Sequence, residues 1–122
     1  FDTVMLKENH IHAAGAMAAA AAIARERYPS LPLVIEVETL DELDQALATD
    51  CTRILIDDFT LGDMRLAVAR SGGRIPLEVS GGVELARLRE IADTGVDFIS
   101  VGALTKHVRA IDFSMRLGKA PK

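Results

Sequence analysis

The sequence is poor in cysteine and in aromatic residues. Of its 122 residues one is cysteine, none is tryptophan and 4% are aromatic. The single cysteine, Cys51, excludes an internal disulfide and fits a reducing compartment, where we expect it to be a packed residue rather than a nucleophile. No apolar run reaches the ~18 residues of a membrane span. Together these absences predict a cytoplasmic protein that is not embedded in a membrane.

Positive charge is also scarce. Fourteen Lys and Arg face eighteen Asp and Glu, which gives a net charge of -4 and a pI near 5.3. No basic run is interleaved with aromatic residues, so we expect no nucleic acid and no anionic membrane as a partner, and any anion must be bound locally. The 49% hydrophobic content suffices for the core of one domain or part of one. Because a strand pattern opens the sequence so abruptly, we expect a piece of a longer protein.

One structural unit repeats along the chain. Helical patterns separate the apolar segments: an alanine-rich helix over Ala13–Tyr28, two helices capped by Thr39 with Glu42 and by Thr60 with Asp63, and a last helix with Leu85, Leu88 and Ile91 facing inward. Alternating strands and helices imply parallel pairing with right-handed crossovers, in an α/β fold that is either barrel-like or doubly wound. The five predicted strands are Val4–Leu6, Leu33–Val37, Arg53–Ile56, Ile75–Val79 and Val96–Val101.

Two glycine turns follow the last two predicted strands. Ser80, Gly81 and Gly82 come after the fourth strand, and Gly102 comes after the fifth, where a further helix opens. A glycine between a strand end and a helix start lets backbone N–H groups point at an anion, and the helix dipole adds positive charge there. Two such turns at one end of a parallel sheet are predicted to hold one phosphate between them.

A polar residue stands at or near the end of each of the five apolar segments. In a parallel sheet these ends share one edge, so residues far apart in sequence converge. Any one of them could simply terminate its strand, but five in register favour the rim of an active site. The five residues are Lys7, Glu36, Asp57, Glu78 and Ser100.

The side-chain chemistry suggests roles for three of these residues. The charge of Lys7 suits a carboxylate or a phosphate. Glu36 and Asp57, on neighbouring strands, could accept hydrogen bonds from a ribose diol or share a Mg²⁺ ion through waters. Glu38 competes with Glu36 because both lie on one face of the strand; we prefer Glu36, which lies within the apolar run.

The roles of several other polar residues have more than one interpretation. Glu78 either orients Lys7 or is a buried acid satisfied by its neighbours. Asp58 alternates to the face opposite Asp57 and suits a charge at a helix start. His10 and His12 would share a face of an extended segment; without a third ligand a transition-metal site is disfavoured, and His10 is better explained as a hydrogen-bonding loop residue.

Five blocks of the sequence, in order, closely resemble the carboxylating nicotinate-nucleotide pyrophosphorylases, which are the quinolinate phosphoribosyltransferases of NAD biosynthesis. The resemblance runs the whole length of the chain and corresponds to less than half of a family member, its C-terminal part. The blocks are Lys7–Ile11, Ile35–Glu38, Leu55–Phe59, Leu77–Gly82 and Thr94–Thr105.

The resemblance implies that residues 1–122 form the C-terminal part of an incomplete α/β barrel of parallel strand-helix repeats. An N-terminal sandwich domain and the early barrel strands would lie outside the chain. Members of the family work as dimers or hexamers of dimers and use Mg²⁺. They join quinolinate to phosphoribosyl pyrophosphate, releasing pyrophosphate and CO₂ to give nicotinate mononucleotide.

The resemblance also implies a role for individual residues. Lys7 resembles the lysine that contacts the substrate carboxylate and the phosphoribosyl donor, and Glu36 and Asp57 resemble the acids that hold the ribose hydroxyls. Relatives often place His where this chain has Lys106, so the phosphate contact there could come from Lys106, from its neighbour His107 or from neither. His107 could also lie on a surface helix. Ser80, Gly81, Gly82 and Gly102 resemble the cradle of the 5′-phosphate.

Further expectations concern the chain as it stands. Asp58 replaces the Asn of many relatives beside the ribose contact Asp57. The basic residues that grip quinolinate would lie outside the chain, so the alternative to an active enzyme is a non-catalytic phosphate-binding half-barrel. Open sheet edges predict that such a fragment self-associates. A weaker alternative makes Lys7 a Schiff-base lysine in an aldolase-like barrel.

Overall fold

The computed structural model describes residues 3–102, which form five strands and five helices. A single 3₁₀ turn, Leu85–Arg87, precedes the last helix. The strands are β1 Val4–Leu6, β2 Leu33–Val37, β3 Arg53–Asp57, β4 Leu77–Ser80 and β5 Phe98–Ile99. The helices are α1 Glu8–Ala14, α2 Met17–Arg27, α3 Leu40–Leu47, α4 Leu61–Ser71 and α5 Leu88–Ala92.

The five strands form one open parallel sheet in the order β1-β2-β3-β4-β5, so strands adjacent in the chain are adjacent in the sheet. Right-handed crossovers between successive neighbours place all the helices on one face. This is the winding of an α/β barrel, and it excludes the doubly wound alternative, in which the strand order reverses. The predicted α/β fold of parallel strand-helix repeats is confirmed.

The core lies between the sheet and the helices. Residues at alternate strand positions, such as Ile35, Ile54 and Ile56, are completely buried, and they pack against helix residues such as Leu43 and Ala67. Each fully buried aliphatic side chain of this kind contributes roughly 1.5–3 kcal/mol. Because successive strand residues point to opposite faces, the remaining positions of each strand face away from the helices and are available for a pocket.

The two predicted helix caps are confirmed. The hydroxyl of Thr39 accepts a hydrogen bond from the Glu42 N–H at 3.2 Å, and that of Thr60 accepts one from the Asp63 N–H at 3.1 Å. The Glu42 carboxylate also accepts from the Glu38 N–H at 2.7 Å, which ties the loop before α3 to its first turn. Each helix therefore starts close behind its strand, which fixes the residues at the strand ends.

The first predicted helix, Ala13–Tyr28, is wrong in its extent, because two helices occupy this region. The first, α1, begins at Glu8 directly after Lys7, and it ends where Gly15 adopts the left-handed conformation at φ 83°. The Gly15 N–H then bonds to the His12 carbonyl at 3.1 Å. Glycine reaches this conformation without steric cost, so it ends one helix and the chain turns into α2.

The last two strands are shorter or shifted relative to the predictions Ile75–Val79 and Val96–Val101. β4 begins after Pro76, which has no N–H to donate to a neighbouring strand. The carboxylate of Asp97, just before β5, accepts the Leu77 N–H at 2.8 Å and so joins the two strands through a side chain. Leu85 was predicted to face inward, but it lies in the 3₁₀ turn and is 56% exposed, whereas Ile91 is buried as expected.

None of the helices in residues 3–102 has the length and apolar character that a membrane span requires.

Candidate active site

A pocket of roughly 970 Å³ occupies the face of the sheet opposite the helices. Its lining comes from β1 to β4 and from residues next to the strands, including one just beyond β5, and the strand residues in it alternate with residues of the core. All five residues predicted at the strand ends are among them. The lining residues that matter for the chemistry of the site are Lys7, Glu36, Arg53, Asp57, Glu78, Ser80, Gly81 and Ser100.

Lys7 and Glu36 form an ion pair at the mouth of this pocket, with Nζ 3.2 Å from Oε2. Lys7 follows β1 and precedes α1, so its backbone is held by both, while its side chain is 54% exposed. Glu36 belongs to β2, and its side chain is only 16% exposed. An ion pair this accessible adds little to stability, about 0–1 kcal/mol, so Lys7 can exchange its partner for an anionic ligand at small cost.

Asp57 lies at the end of β3 and contacts the glycine turn after β4. Its partner in the sheet register is Ser80, whose hydroxyl donates a long hydrogen bond of 3.4 Å to Asp57 Oδ1. Gly81 and Gly82 follow with φ 78° and 51°. A Cβ atom at Gly81 would stand 2.0 Å from Asp57 Oδ1. Only glycine fits there, because the backbone conformation and the carboxylate both exclude a side chain.

A second charged cluster lies on β3, β4 and the end of β5. Arg53 Nη1 is 2.8 Å from Glu78 Oε2, and the guanidinium lies over the Phe98 ring, 4.3 Å from its centroid. The Ser100 hydroxyl donates to the other oxygen of Glu78. Of the two interpretations of Glu78, the structure therefore favours an acid satisfied by its neighbours; it does not orient Lys7, which pairs with Glu36.

The pKa of Glu78 reflects this environment. Burial raises the pKa, but the hydrogen bonds from Ser100 and Arg53 and the positive charge of Arg53 outweigh that effect, so the pKa lies below its ordinary value. Glu78 is therefore a fixed negative charge at neutral pH. Arg53 was not predicted as a site residue. It precedes Leu55 and Asp57 by two and four residues, and this spacing could have placed it on the same face of the strand.

Four other residues were predicted to contact the phosphate. Gly82 adjoins the pocket-lining Gly81 but is not itself among the lining residues, and neither is Gly102. Gly102 lies outside the left-handed region, and a Cβ there would meet nothing within 4 Å. Lys106 and His107 lie outside the described residues.

A smaller acidic recess of roughly 400 Å³ borders Glu36 on its other side and includes Glu8, Glu38 and Glu42. Desolvation, followed by repulsion from Glu8, Glu42, Asp57 and Glu36, raises the pKa of Glu38. Glu36 lines the main pocket and Glu38 does not, in agreement with the preference for Glu36.

Asp58 faces away from the main pocket, as the alternation predicts. It lines a separate recess with Asp63, and its backbone is left-handed at φ 56°. Asp and Asn adopt this conformation more readily than most other residues that carry a side chain, which is consistent with either residue at this position.

The histidine pair does not lie in an extended segment. His10 and His12 belong to α1, where residues two positions apart point to different sides. His10 Nδ1 accepts the Lys7 N–H at 3.2 Å, so its hydrogen-bonding role is found at a helix start rather than in a loop. Within residues 3–102 no group of three or more His, Cys, Asp or Glu residues is arranged to hold a metal ion. Cys51 is buried in the core, and burial raises the pKa of its thiol.

Comparison with known proteins identifies the family. The family model described as "Quinolinate phosphoribosyl transferase, C-terminal domain" matches residues 1–116. The chain belongs to the quinolinate phosphoribosyltransferase family. The resemblance seen in the sequence is therefore confirmed, and the pocket described above lies within the C-terminal domain of that family.

Relatives in this family cover nearly the whole chain. The nicotinate-nucleotide pyrophosphorylase (carboxylating) of Mycobacterium leprae is 40% identical over 95% of this chain and 42% of its own length. The probable enzyme of the same name from Synechocystis is 42% identical, with 95% and 41% covered. The chain thus spans about two fifths of the length of these relatives.

Solved structures of quinolinate phosphoribosyltransferase relatives share the fold. The nicotinate-nucleotide pyrophosphorylase from Francisella tularensis superposes with a TM-score of 0.87 at 45% identity, covering 92% of this chain and 40% of that one. NadC from Streptococcus pyogenes gives 0.87 at 33% identity, covering 94% and 41%. The open five-stranded sheet is therefore one part of a larger molecule in these relatives.

Proposed function

We propose that this chain supplies part of the active site of a quinolinate phosphoribosyltransferase. The reaction joins quinolinate to phosphoribosyl pyrophosphate and releases pyrophosphate and CO₂ to give nicotinate mononucleotide, a precursor of NAD. One observation carries the proposal. Lys7, Glu36, Asp57, Ser80 and Gly81 line a single pocket and all stand at or near the C-terminal ends of parallel strands, where α/β enzymes of this winding bind their substrates.

Glu36 and Asp57 have the chemistry that the ribose requires. As pyrophosphate departs, positive charge develops at the anomeric carbon, and carboxylates fixed nearby stabilise that charge. Their oxygens can also accept hydrogen bonds from the ribose hydroxyls. Both side chains are half-buried on neighbouring strands of the sheet, where Glu36 pairs with Lys7 and Asp57 accepts a long hydrogen bond from Ser80. The two acids are therefore positioned before substrate arrives, which lowers the cost of orienting it.

Lys7 is proposed to bind the anionic groups of the substrates. Its ammonium group is held by Glu36 and is accessible from the pocket mouth, so it can turn to a substrate carboxylate or to the phosphoribosyl donor. The same pairing disfavours the Schiff-base alternative, since an ammonium group paired with a carboxylate is not a nucleophile. Borohydride treatment with carbonyl compounds should therefore leave no adduct on Lys7; a trapped adduct would restore the aldolase-like alternative.

The glycine turns are proposed to hold the 5′-phosphate. Ser80 ends β4, and Gly81 and Gly82 follow it as two successive left-handed glycines, a conformation in which consecutive N–H groups can converge on an anion. Gly102 would complete the cradle from the adjacent segment, with Lys106 or His107 as a further contact. A phosphate held there would place the ribose over Asp57, which contacts Gly81.

Mg²⁺ is proposed as the metal of the reaction. Mg²⁺ in phosphoryl sites is commonly held by one or two carboxylates, waters and the substrate phosphates rather than by a cage of protein ligands. Glu36 and Asp57 fit that role, because each has one oxygen engaged in a contact within the pocket and a second carboxylate oxygen. When bound, the ion would neutralise the pyrophosphate leaving group. Loss of CO₂ follows once the ring nitrogen carries the new glycosidic bond.

The charge of the pocket supports a larger, oligomeric enzyme. Among its lining residues in the described part of the chain, Lys7 and Arg53 are each paired with an acid, and Glu36, Asp57 and Glu78 add three negative charges. Two polyanionic substrates need more positive charge than this. We propose that it comes from the rest of the longer protein and from a partner subunit of a homo-oligomer.

The cytoplasmic location stays a prediction for this chain. Relatives from rice and from Nicotiana glauca are named chloroplastic and mitochondrial, respectively.

Substitution of Asp57 tests the proposed function in the complete protein. Asp57→Asn keeps the shape of the side chain but removes its charge, so kcat should fall about 10²–10³-fold, as when one stabilising group is removed from a transition state. Asp93→Asn, on an exposed residue after α5, is the control and should leave kcat unchanged. Full turnover by Asp57→Asn, or no turnover by the unsubstituted protein with quinolinate and phosphoribosyl pyrophosphate, would contradict the proposal.

The alternative for the 122-residue chain alone is a phosphate-binding half-barrel without catalysis. The paired state of both cations in the pocket favours it. Calorimetric titration with phosphoribosyl pyrophosphate, beside a turnover assay, separates the two: binding without turnover supports the alternative for the isolated chain, and turnover rejects it.

A further inference from the structure

Arg53 links three neighbouring strands across the pocket face. It is the first residue of β3; its Nη1 lies 2.8 Å from Glu78 on β4, and its guanidinium stacks on the ring of Phe98 on β5 at 4.3 Å. Glu78 accepts a further hydrogen bond from the Ser100 hydroxyl just beyond β5. Arg53, Glu78, Phe98 and Ser100 are called the arginine clasp below.

The clasp supports the strand with the shortest backbone ladder. β5 contains two residues, and its register with β4 consists of the pairs Glu78 with Phe98 and Val79 with Ile99. Two further backbone bonds run from the Asp97 N–H to the Leu77 carbonyl at 3.1 Å and from the Ser100 N–H to the Val79 carbonyl at 2.9 Å. The contacts that the clasp makes with Phe98 and Ser100 add side-chain support to this short ladder on the pocket face.

The clasp lies directly before both glycine turns. Glu78 precedes Ser80 by two residues, and Ser100 precedes Gly102 by two residues. Because β4 and β5 are parallel, moving two residues further along either strand leads toward the same edge of the sheet, at about 3.3 Å per residue. The hydrogen bond between Ser100 and Glu78 therefore ties the end of β5 to β4 immediately before the turns proposed to hold the phosphate.

We propose that Arg53 is a positioning residue for the substrate phosphate. It holds the Glu78 carboxylate in place, Glu78 holds the Ser100 hydroxyl, and the end of β5 is thereby held against β4 so that both glycine turns can reach one phosphate. This inference rests on the proposed function, and it assigns to Arg53 no contact with the reacting atoms. Arg53 serves the phosphate end of the phosphoribosyl donor and not the quinolinate end.

The structure offers a matched control for Arg53 in Arg70. Both arginines bond to one carboxylate through Nη1, Arg53 to Glu78 at 2.8 Å and Arg70 to Asp44 at 2.6 Å, and their side chains are 40% and 39% exposed. Arg70 lies on α4 and links it to α3 on the helix side of the sheet. Substitution of Arg70 therefore removes an ion pair of the same chemistry away from the pocket and controls for the loss of an ion pair as such.

The test uses the complete protein with Arg53→Met, Arg53→Lys and Arg70→Met. For Arg53→Met we expect the KM for phosphoribosyl pyrophosphate to rise about tenfold, comparable with one lost charged hydrogen bond, while the KM for quinolinate and kcat change less than threefold. Arg53→Lys keeps the charge but not the planar stack, so it should recover part of the affinity. Arg70→Met should leave both KM values unchanged.

Three results would overturn the positioning role. These are an unchanged KM for phosphoribosyl pyrophosphate in Arg53→Met, equal rises for both substrates, or the same KM shift in Arg70→Met. Thermal unfolding of each variant shows whether it is folded, and calorimetric titration with phosphoribosyl pyrophosphate gives the affinity directly if turnover is lost. Failure of the unsubstituted protein to turn over would instead contradict the proposed function, so the two failures are distinct.

Discussion

Gly81 is the position where the smallest substitution should have the largest effect. At φ 78° an alanine would be strained by about 1–2 kcal/mol through its backbone alone. Its Cβ would also stand 2.0 Å from Asp57 Oδ1 and 3.1 Å from Asp57 Cγ. An ordinary contact needs about 3.4 Å, so the carboxylate must move by more than an ångström or the turn must shift.

Either movement should damage catalysis more than stability. A displacement of about 1 Å in a positioned group can lower the rate about 100-fold. Asp57 Oδ1 is held by the Ser80 hydroxyl at 3.4 Å, a weak contact that cannot resist the clash. For Gly81→Ala we therefore expect kcat/KM to fall about 100-fold while the free energy of unfolding falls by about 1–2 kcal/mol.

Gly73 separates the backbone strain from the clash. It has nearly the same φ, 74°, but a Cβ there would meet nothing within 4 Å, and it lies in the turn that leads into β4 rather than in the turn that follows it. Gly73→Ala should lose about the same stability, ~1–2 kcal/mol, with full activity. Steady-state kinetics and urea unfolding of both variants of the complete protein decide the matter: if Gly81→Ala is as active as Gly73→Ala, the contact between Asp57 and Gly81 has no catalytic role.

Two further predictions concern stability. Arg25 bonds to the Asp50 carboxylate and to two loop carbonyls, all at 2.8 Å. Arg25→Met should therefore lower the free energy of urea unfolding by about 1–3 kcal/mol without changing KM. An unchanged free energy of unfolding would contradict a stabilising role for these bonds. The lowered pKa of Glu78 implies that its pairing with Arg53 stabilises the fold above its ordinary pKa of 4.5 and that this contribution fades as the pH falls further. The raised pKa of Glu38 has the opposite consequence, because its ionised carboxylate destabilises the fold. Glu38→Gln should thus stabilise at pH 7 and Glu78→Gln destabilise, both effects vanishing in acid; pH-independent effects would refute this.

The alternation of the strands made much of the site predictable. In β2, β3 and β4 the core residues occupy every second position and leave Glu36, Asp57 and Glu78 on the other face. The carboxyl ends of parallel strands meet at one edge, so these residues could be placed in one pocket from their order alone. The turn at Gly81 was predictable for the same reason, since glycine follows the fourth strand directly.

The pairing of charges could not be predicted in the same way. Lys7 and Arg53 are both on the pocket face, and which acid each one reaches depends on the stagger of the strands and on side-chain length. The register pairs Leu55 with Glu78, so Arg53, two residues before Leu55, must extend along the strand to reach Glu78. Sequence fixes the face of a residue through the period of two, but it does not fix how far neighbouring strands are shifted.

The boundaries that differed have local causes of a similar kind. Gly15 lies within an alanine-rich stretch whose helix propensity is high, and the tertiary structure uses its left-handed conformation to break the helix. At β5 the apolar run Val96–Val101 suggested a long strand, but the Asp97 side chain takes the Leu77 N–H and the ladder contains two residues. Side chains that replace backbone bonds are not visible in a pattern of hydrophobicity.

The short ladder at β5 connects the structural and functional parts of this fold. Most of the sheet separates them: alternate residues form the core and the others face the pocket, so stability and the proposed substrate binding rest on different side chains. At β5 that separation ends, because pocket-face residues, Arg53, Glu78 and Ser100, also hold the strand in place. A site assembled in this way is sensitive where its backbone support is weakest. Substitutions that leave the core intact can therefore still alter phosphate binding, and the clasp is where such substitutions should be found.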